Sequence, residues 1–429
     1  MSTSEITEKI TQLVIYRNLH CDPVLVSWRE LQNHAGDYQH LARLFDQVQH
    51  CPHPLTGCNW WQNHLLDLIM LDDNIGSRAM AACPTGEQES CPALSGQLRS
   101  LLERELAVLQ VLYHWQPDQV HLPAGTEGYW QHIWQSSPPA RSPRYPDQQA
   151  FWQHKKALAA AFEENPAAIL DALEKFHTAL GYGLLSRFFC FTWQGSLQPV
   201  THPDSPPPDA LHGYLQERET LRENTARLVS GLPAVNILLY GDRGTGKSSA
   251  VKSLLHLFGQ QRLRLVEMDK TNLSQYSVLL NQLAELPYKF IIFLDDLSFE
   301  ELETDYKQLK AMLEGSVRRR PDNVVIYATS NRRHLVSETF REQDKHPQDS
   351  VQEKLSLADR FGLCLMFSAP GEQAYLEMVL HLARQAGLDW PRDALLKQAR
   401  LWAMWHNGYS GRTARQLVDY LYGRWPGQF

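Results

Sequence analysis

The chain has 429 residues, 43% of them hydrophobic, with 12 Trp and a formal charge of −7. This composition excludes a disordered chain, and the length predicts two or three domains, each with its own core. No apolar run reaches membrane-spanning length and the N-terminus has no signal-peptide core. The seven Cys are scattered rather than spaced as a disulfide framework, so a cytoplasmic protein without membrane association is expected.

The charge is uneven. Residues 1–200 carry 13 Lys and Arg against 20 Asp and Glu, and residues 201–429 carry 28 of each. Neither part has the basic excess of a dedicated phosphate-backbone binder, so charge does not support a nucleic-acid partner, although it leaves one possible.

Residues 1–200 read as a mostly helical domain of unknown role. Apolar residues recur at three-and-four spacing over 4–19, 26–48, 60–71, 98–115 and 148–161. Proline and glycine clusters at 83–86 and 136–143 separate them. Cys51 and Cys58, with His50, His53 and His64 nearby and Cys83 and Cys91 beyond, lack the short Cys-x₂₋₄-Cys spacing of structural zinc sites. They are therefore read as buried thiols. Trp60, Trp61, Trp115, Trp130, Trp134 and Trp152 are read as core, although an aromatic helical surface also suits a protein partner.

Residues 188–193 suggest a short strand, and the proline-rich stretch 202–209 reads as a stiff linker and domain boundary. Helix 215–229 follows. From there strands and helices alternate, with strands at 235–240, 262–268, 290–296, 324–330 and 361–367 and helices at 247–258, 273–286 and 299–317 between the first four. Strands apolar on both faces and separated by helices predict a five-stranded parallel sheet covered on both sides, a three-layer αβα core. Helices at 372–386, 393–405 and 411–422 form a C-terminal helical domain. The expected domains are 1–200, 201–370 and 371–429.

The chemistry is concentrated at the end of the first core strand. Gly241-Asp242-Arg243-Gly244-Thr245-Gly246-Lys247-Ser248, followed by Ser249, fits the phosphate-binding loop pattern. Its glycines let backbone N–H groups point inward at a polyphosphate, and the helix beginning near Lys247 offers unpaired N–H groups at its positive end. Lys247 would reach the β- and γ-phosphates and the Ser248 hydroxyl would ligate Mg²⁺. About 50 residues on, four apolar residues lead into Asp295-Asp296, where Asp295 would hold Mg²⁺ and Asp296 would orient or deprotonate water. The next strand ends at Asn331, within reach of a γ-phosphate, with Thr329 behind it. Arg318-Arg319-Arg320 reads as a helix C-terminus complementing its dipole.

Taken in order, these motifs resemble the AAA+ ATPases. The runs 239–249, 295–300, 327–335 and 353–362 are similar to a bacterial family of uncharacterised AAA+-like ATP-binding proteins, a domain of unknown function, over about residues 185–429. The resemblance implies a P-loop NTPase core with a helical lid, binding ATP and Mg²⁺. It makes Asn331 a sensor residue, Arg360 of Asp359-Arg-Phe361 an arginine finger reaching a neighbouring subunit, and Arg412 of Gly408-Tyr-Ser-Gly-Arg412 the lid arginine, with Arg415 as the alternative. Tyr214 falls where such proteins line the adenine pocket. Arg360 could instead pair with Asp359 or Glu353, and Arg412 could be solvated. A homo-oligomer follows from the finger, and residues 1–200 would engage an unidentified protein partner. Many AAA+ motors carry Glu where this chain has Asp296, so that the water would sit differently or Glu300 would take part, and slow turnover is expected. The functional expectation is Mg²⁺-dependent ATP hydrolysis coupled to movement of a partner. The alternatives are an ATP-gated adaptor or loader, nucleic-acid complexes included, and, least supported, a small-molecule kinase.

Overall fold

A computed structural model describes residues 3–33, 38–49, 54–82, 94–116, 125–139, 143–297, 320–331, 360–406 and 408–422. Contacts divide the chain into two units, residues 1–189 with 260–262, and residues 190–259 with 263–429. The division falls between Phe189 and Cys190, ahead of the proline-rich linker expected to mark it.

The first unit is helical throughout its described residues, with α1 (Thr3–Thr11), α2 (Pro23–Asn33), α3 (Tyr38–Val48), α4 (Trp60–Leu71), α5 (Ile75–Ala81), α6 (Gly96–Tyr113), α7 (Glu127–Gln135), α8 (Pro146–Phe162), α9 (Pro166–Leu180) and the short α10 (Leu184–Arg187). Local chemistry sets several ends. Asn59 and Gln62 form a reciprocal capping box on α4, and Asn165 accepts the Ala168 amide at the start of α9, with Pro166 in its first turn. Gly181, at φ 86°, closes α9. The pattern expected as one helix over 26–48 contains two, α2 and α3, with residues 34–37 outside the description. α5, α7 and α9 were not expected.

The core of this unit holds Trp28, Trp61, Trp115 and Trp134, all buried, their rings 5.3 to 5.9 Å apart. Trp60 and Trp152 are half-buried. Cys58 is buried against the Tyr113 hydroxyl at 3.4 Å, and His64 bonds Asp22 at 3.0 Å. Cys51, Cys83, Cys91, His50 and His53 lie outside the described residues.

The second unit carries β1 (Cys190–Trp193), β2 (Leu197–Pro199), α11 (Leu215–Val229), β3 (Ile237–Gly241), α12 (Lys247–Phe258), β4 (Leu263–Glu267), α13 (Tyr276–Ala284), β5 (Lys289–Leu294), β6 (Val324–Ser330), β7 (Leu363–Phe367), α14 (Glu372–Gln385), α15 (Arg392–Trp405) and α16 (Gly411–Leu421). The sheet has seven strands, not the five expected, in the order β2-β1-β4-β5-β6-β3-β7. All neighbours are parallel except β2, which turns back antiparallel on β1. The two extra strands are β1, expected as a short strand over 188–193 but not as part of this sheet, and β2, whose three residues are too few for an alternating pattern to stand out. They join the sheet because β1 buries Cys190, Phe191 and Trp193 while pairing Cys190 with Leu265. Pro199 in β2 suits an edge, where a missing donor costs nothing.

Burial explains the parallel core. β6 is buried at every residue and β5 at all but Lys289, so both faces are covered. α14, α15 and α16 form a separate helical cluster around Tyr375, Val379, Ala399, Ala414 and Leu417. The expected helix 299–317, with Glu300, Arg318 and Arg319, lies outside the described residues.

Candidate active site

β3 runs between β6 and the edge strand β7, pairing Leu239 with Thr329 and with Leu365. Its last residue, Gly241, has φ 134°, and a Cβ there would lie 2.1 Å from the Phe367 carbonyl oxygen. The Asp242 amide donates to that same oxygen at 3.0 Å. Only glycine lets the chain leave the sheet so close to its neighbour. The loop closes with Thr245 Oγ1 donating to the Asp242 carbonyl at 2.8 Å.

Lys247 opens α12 and is buried. Its Nζ donates to the carbonyls of Gly241 (2.9 Å) and Asp242 (2.7 Å) and to Asn331 Oδ1 (3.1 Å). Burial lowers its pKa, against the pull of Asp242, Asp296 and Asp295.

β5 ends beside this loop, and the turn after it is fastened to β6. Ser248 Oγ and Thr329 Oγ1 both donate to Asp295 Oδ1, each at 2.6 Å. The Asp296 amide donates to Thr329 Oγ1 at 2.9 Å, and the Leu297 amide to the Thr329 carbonyl at 2.7 Å. Asp296 adopts φ 51°, in the left-handed region rare for non-glycine residues. Asn331 Nδ2 donates to Asp296 Oδ1. The amide of Asn331 therefore joins Lys247 to Asp296.

Ser248 and Asp295 bring a hydroxyl and a carboxylate oxygen together. That set fits Mg²⁺, which takes one or two protein oxygens beside phosphate oxygens and water rather than an all-protein cage. Among the described residues there is no cluster of three His, Cys, Asp or Glu that would form such a cage.

These groups open into a cavity of about 950 Å³. Its lining includes Arg243, Gly244, Thr245, Gly246, Lys247, Ser248, Ser249, Asp295, Asp296, Thr329 and Asn331. One end is apolar, with Leu211, Tyr214, Phe367, Met378 and Leu382. Tyr214 starts α11 at φ 53°, lies 4.8 Å from the Phe367 ring and donates its hydroxyl to the Ser368 carbonyl at 2.6 Å. Burial, helped by Asp242 and Glu217, pushes its pKa up to about 12, so it stays a neutral donor. Arg218 fixes the approach to Tyr214 by donating to the carbonyls of Pro208 (2.7 Å) and Leu211 (2.8 Å).

The lid reaches the loop directly. The Arg412 amide donates to the Gly244 carbonyl at 3.1 Å, and Arg412, Arg415 and Gln416 line the cavity. Gly244 has φ 76°, and a Cβ on it would lie 3.0 Å from Ser410 Oγ and 3.1 Å from Arg412 Cβ. The hinge into the lid is held too, for the Ala369 amide donates to the Asp242 carboxylate at 2.6 Å. Six basic side chains, Arg218, Arg243, Lys247, Lys252, Arg412 and Arg415, face three acids, Asp204, Asp295 and Asp296, across the cavity. The balance favours a polyanion.

Three residues singled out in the sequence are not in the lining. Gly241 and Asp242 shape the loop from behind. Arg360 precedes β7, at the strand end opposite Phe367, which does line the cavity. Sequence reasoning missed the parts taken by Arg218, Met378, Leu382 and the Asp242 carboxylate. Arg218, Met378 and Leu382 lie in no motif, and although Asp242 belongs to the loop motif, the role of its carboxylate depends, like theirs, on which groups the fold brings near.

The strand order, with the loop strand between β6 and β7 and both acids directly after β5, defines a P-loop nucleoside-triphosphatase fold of the AAA+ kind. Residues 186–425 match a family described as "Protein of unknown function (DUF815)", more than half of the chain, and the protein belongs to that family. No curated protein matches the sequence. Among solved structures, the Thermotoga maritima RuvB Holliday junction branch migration motor is similar at 16% identity and a TM-score of 0.36, over 51% of this chain and 64% of that one. The FIGL-1 AAA domain in complex with ADP is similar at 19% identity and a TM-score of 0.34, over 51% and 73%. This chain thus spans less than two thirds of the RuvB chain. No helix among the described residues is long and apolar enough to cross a membrane.

Proposed function

We propose that this protein is an ATPase that hydrolyses ATP to ADP and phosphate and uses the cycle to move a protein partner engaged by residues 1–200. The observation that carries the reading is the convergence of Lys247, the Ser248–Asp295 pair and the Asp296–Asn331 pair in one basic cavity with an apolar end.

The apolar end suits a purine against Tyr214, Phe367 and Met378. Lys247 would exchange its loop carbonyls for β- and γ-phosphate oxygens, neutralising charge as it develops. Asp296 would accept a hydrogen bond from the attacking water, with Asn331 orienting both its carboxylate and Lys247. Bound at Ser248 and Asp295, Mg²⁺ would supply further charge neutralisation. Arg412 would read the phosphates from the lid. Arg360, remote from its own chain's cavity, would complete that of a neighbour, which favours a homo-oligomer. The short Asp296 side chain, pinned by Asn331, favours slow turnover and therefore an ATP-gated adaptor or loader as the second reading. The equal charge of residues 201–429 favours a protein partner over nucleic acid.

Measured phosphate release should depend on Mg²⁺, and its specific activity should rise with protein concentration. Lys247→Ala should lower it at least about 100-fold and abolish nucleotide binding. Arg360→Ala should leave binding intact and remove the concentration-dependent activity. Normal hydrolysis by Arg360→Ala at every concentration would show that no finger acts in trans.

A further inference from the structure

Thr329 lies inside β6 and is 2% exposed, so water cannot replace what its hydroxyl does. A threonine hydroxyl has one proton and two lone pairs. Here the proton goes to Asp295 Oδ1 at 2.6 Å, and a lone pair accepts the Asp296 amide at 2.9 Å. One hydroxyl therefore touches both acidic residues of the turn after β5, donating to one and accepting from the other.

The two bonds do different things. The first holds Asp295 Oδ1 where Ser248 Oγ also reaches it at 2.6 Å, so the hydroxyl–carboxylate pair is set from β6 as well as from α12. The second stabilises the left-handed backbone of Asp296, φ 51°, a conformation that costs an L-residue about 1 kcal/mol. The turn is closed further by the Leu297 amide on the Thr329 carbonyl and by Ser330 Oγ on the Leu297 carbonyl, and neither of these needs the Thr329 side chain. Removing the hydroxyl should therefore leave the turn attached, with the Asp295 carboxylate held by Ser248 and that of Asp296 by Asn331, but without the link between them.

We propose that Thr329 is the positioning residue for both acidic groups of this site, coupling the metal-holding side, Asp295 with Ser248, to the water-orienting side, Asp296 with Asn331. The assignment rests on the ATPase reading above. Thr329 acts through the Asp295 carboxylate and the Asp296 backbone.

Thr329→Val has the same shape and lacks both bonds, whereas Thr329→Ser keeps the hydroxyl. Affinity for a slowly hydrolysed ATP analogue, measured with and without Mg²⁺, separates the metal side from mere folding, and turnover then reads the water side. In Thr329→Val the tightening that Mg²⁺ gives the wild type should shrink about tenfold, while affinity without Mg²⁺ stays within about twofold. Turnover should fall by more than the Mg²⁺ effect alone, because Asp296 is released as well. Thr329→Ser should recover most of both. If Thr329→Val does not fold, Thr329→Ala against Thr329→Ser provides the same comparison. Wild-type Mg²⁺ tightening and turnover in folded Thr329→Val or Thr329→Ala would overturn the assignment and leave the ATPase reading standing. Wild-type protein that binds no ATP would overturn both.

Discussion

At the scale of single residues, two glycines carry different burdens although they lie three positions apart. A Cβ on Gly241 would meet a backbone carbonyl at 2.1 Å, and backbone in a seven-stranded sheet cannot give way. Gly241→Ala should destabilise the second unit by about 3 kcal/mol or more, seen as a lower midpoint in urea. A Cβ on Gly244 would instead meet the side chains of Ser410 and Arg412, which belong to the lid. Gly244→Ala should weaken ATP binding far more than it lowers stability, because the lid, not the sheet, must shift. Equal losses of stability in the two variants would contradict this distinction. Both glycines are plain in the loop motif. Which neighbour each one faces is not, because Phe367 and Ser410 are more than 120 residues away.

At the scale of elements, the last turn of α9 carries His177, which is 1% exposed and bonds the Gly181 carbonyl through Nδ1 at 2.8 Å. Burial, with smaller contributions from Arg262 and His154 and against that hydrogen bond, lowers its pKa to about 4. The folded state therefore binds its proton less readily than the unfolded chain, whose histidine titrates near 6.5. The stability tied to its neutral form is complete above about pH 6.5 and is lost as pH falls toward 4, by about 3 kcal/mol in all. Urea midpoints of the first unit should decline over that window. His177→Asn, which keeps a donor for Gly181, should flatten the decline, and an unchanged slope would assign the acid sensitivity elsewhere. Arg262, at φ 64°, donates to the carbonyls of Ala81, His177 and Thr178, so the last turns of α5 and α9 receive a cation where their dipoles are negative. None of this was legible beforehand. Helix α9 itself carried a signal in Asn165-Pro166, a cap followed by a first-turn proline. Its apolar stripe, buried at Ile169, Leu170, Leu173 and Phe176, follows the preceding helix after only three residues.

At the scale of the whole molecule, the two units divide the chain ahead of the proline-rich linker, and β1 and β2 belong to the sheet. A fragment beginning at residue 186 retains them, whereas one beginning at 201 strips β1 from β4 and exposes an apolar edge. Expressed side by side, the longer fragment should be monodisperse and bind ATP, and the shorter should aggregate or melt earlier. Equal solubility and stability would mean that β1 contributes little to the sheet.

The sequence alone determined the phosphate loop, the paired acids, the strand-tip asparagine and the core strands β3 to β7. These depend on local rules: glycines where φ must be positive, apolar runs of strand length, and acids directly after a strand. Tertiary structure decided the rest. It brought Thr329 against both acids, set Tyr214 on Phe367, carried Arg412 to Gly244, and joined to the sheet both β1 and β2, the latter too short to announce itself. Each of these is a contact between residues distant in the chain, and hydrogen bonding and packing at such range leave no periodicity for a sequence to display.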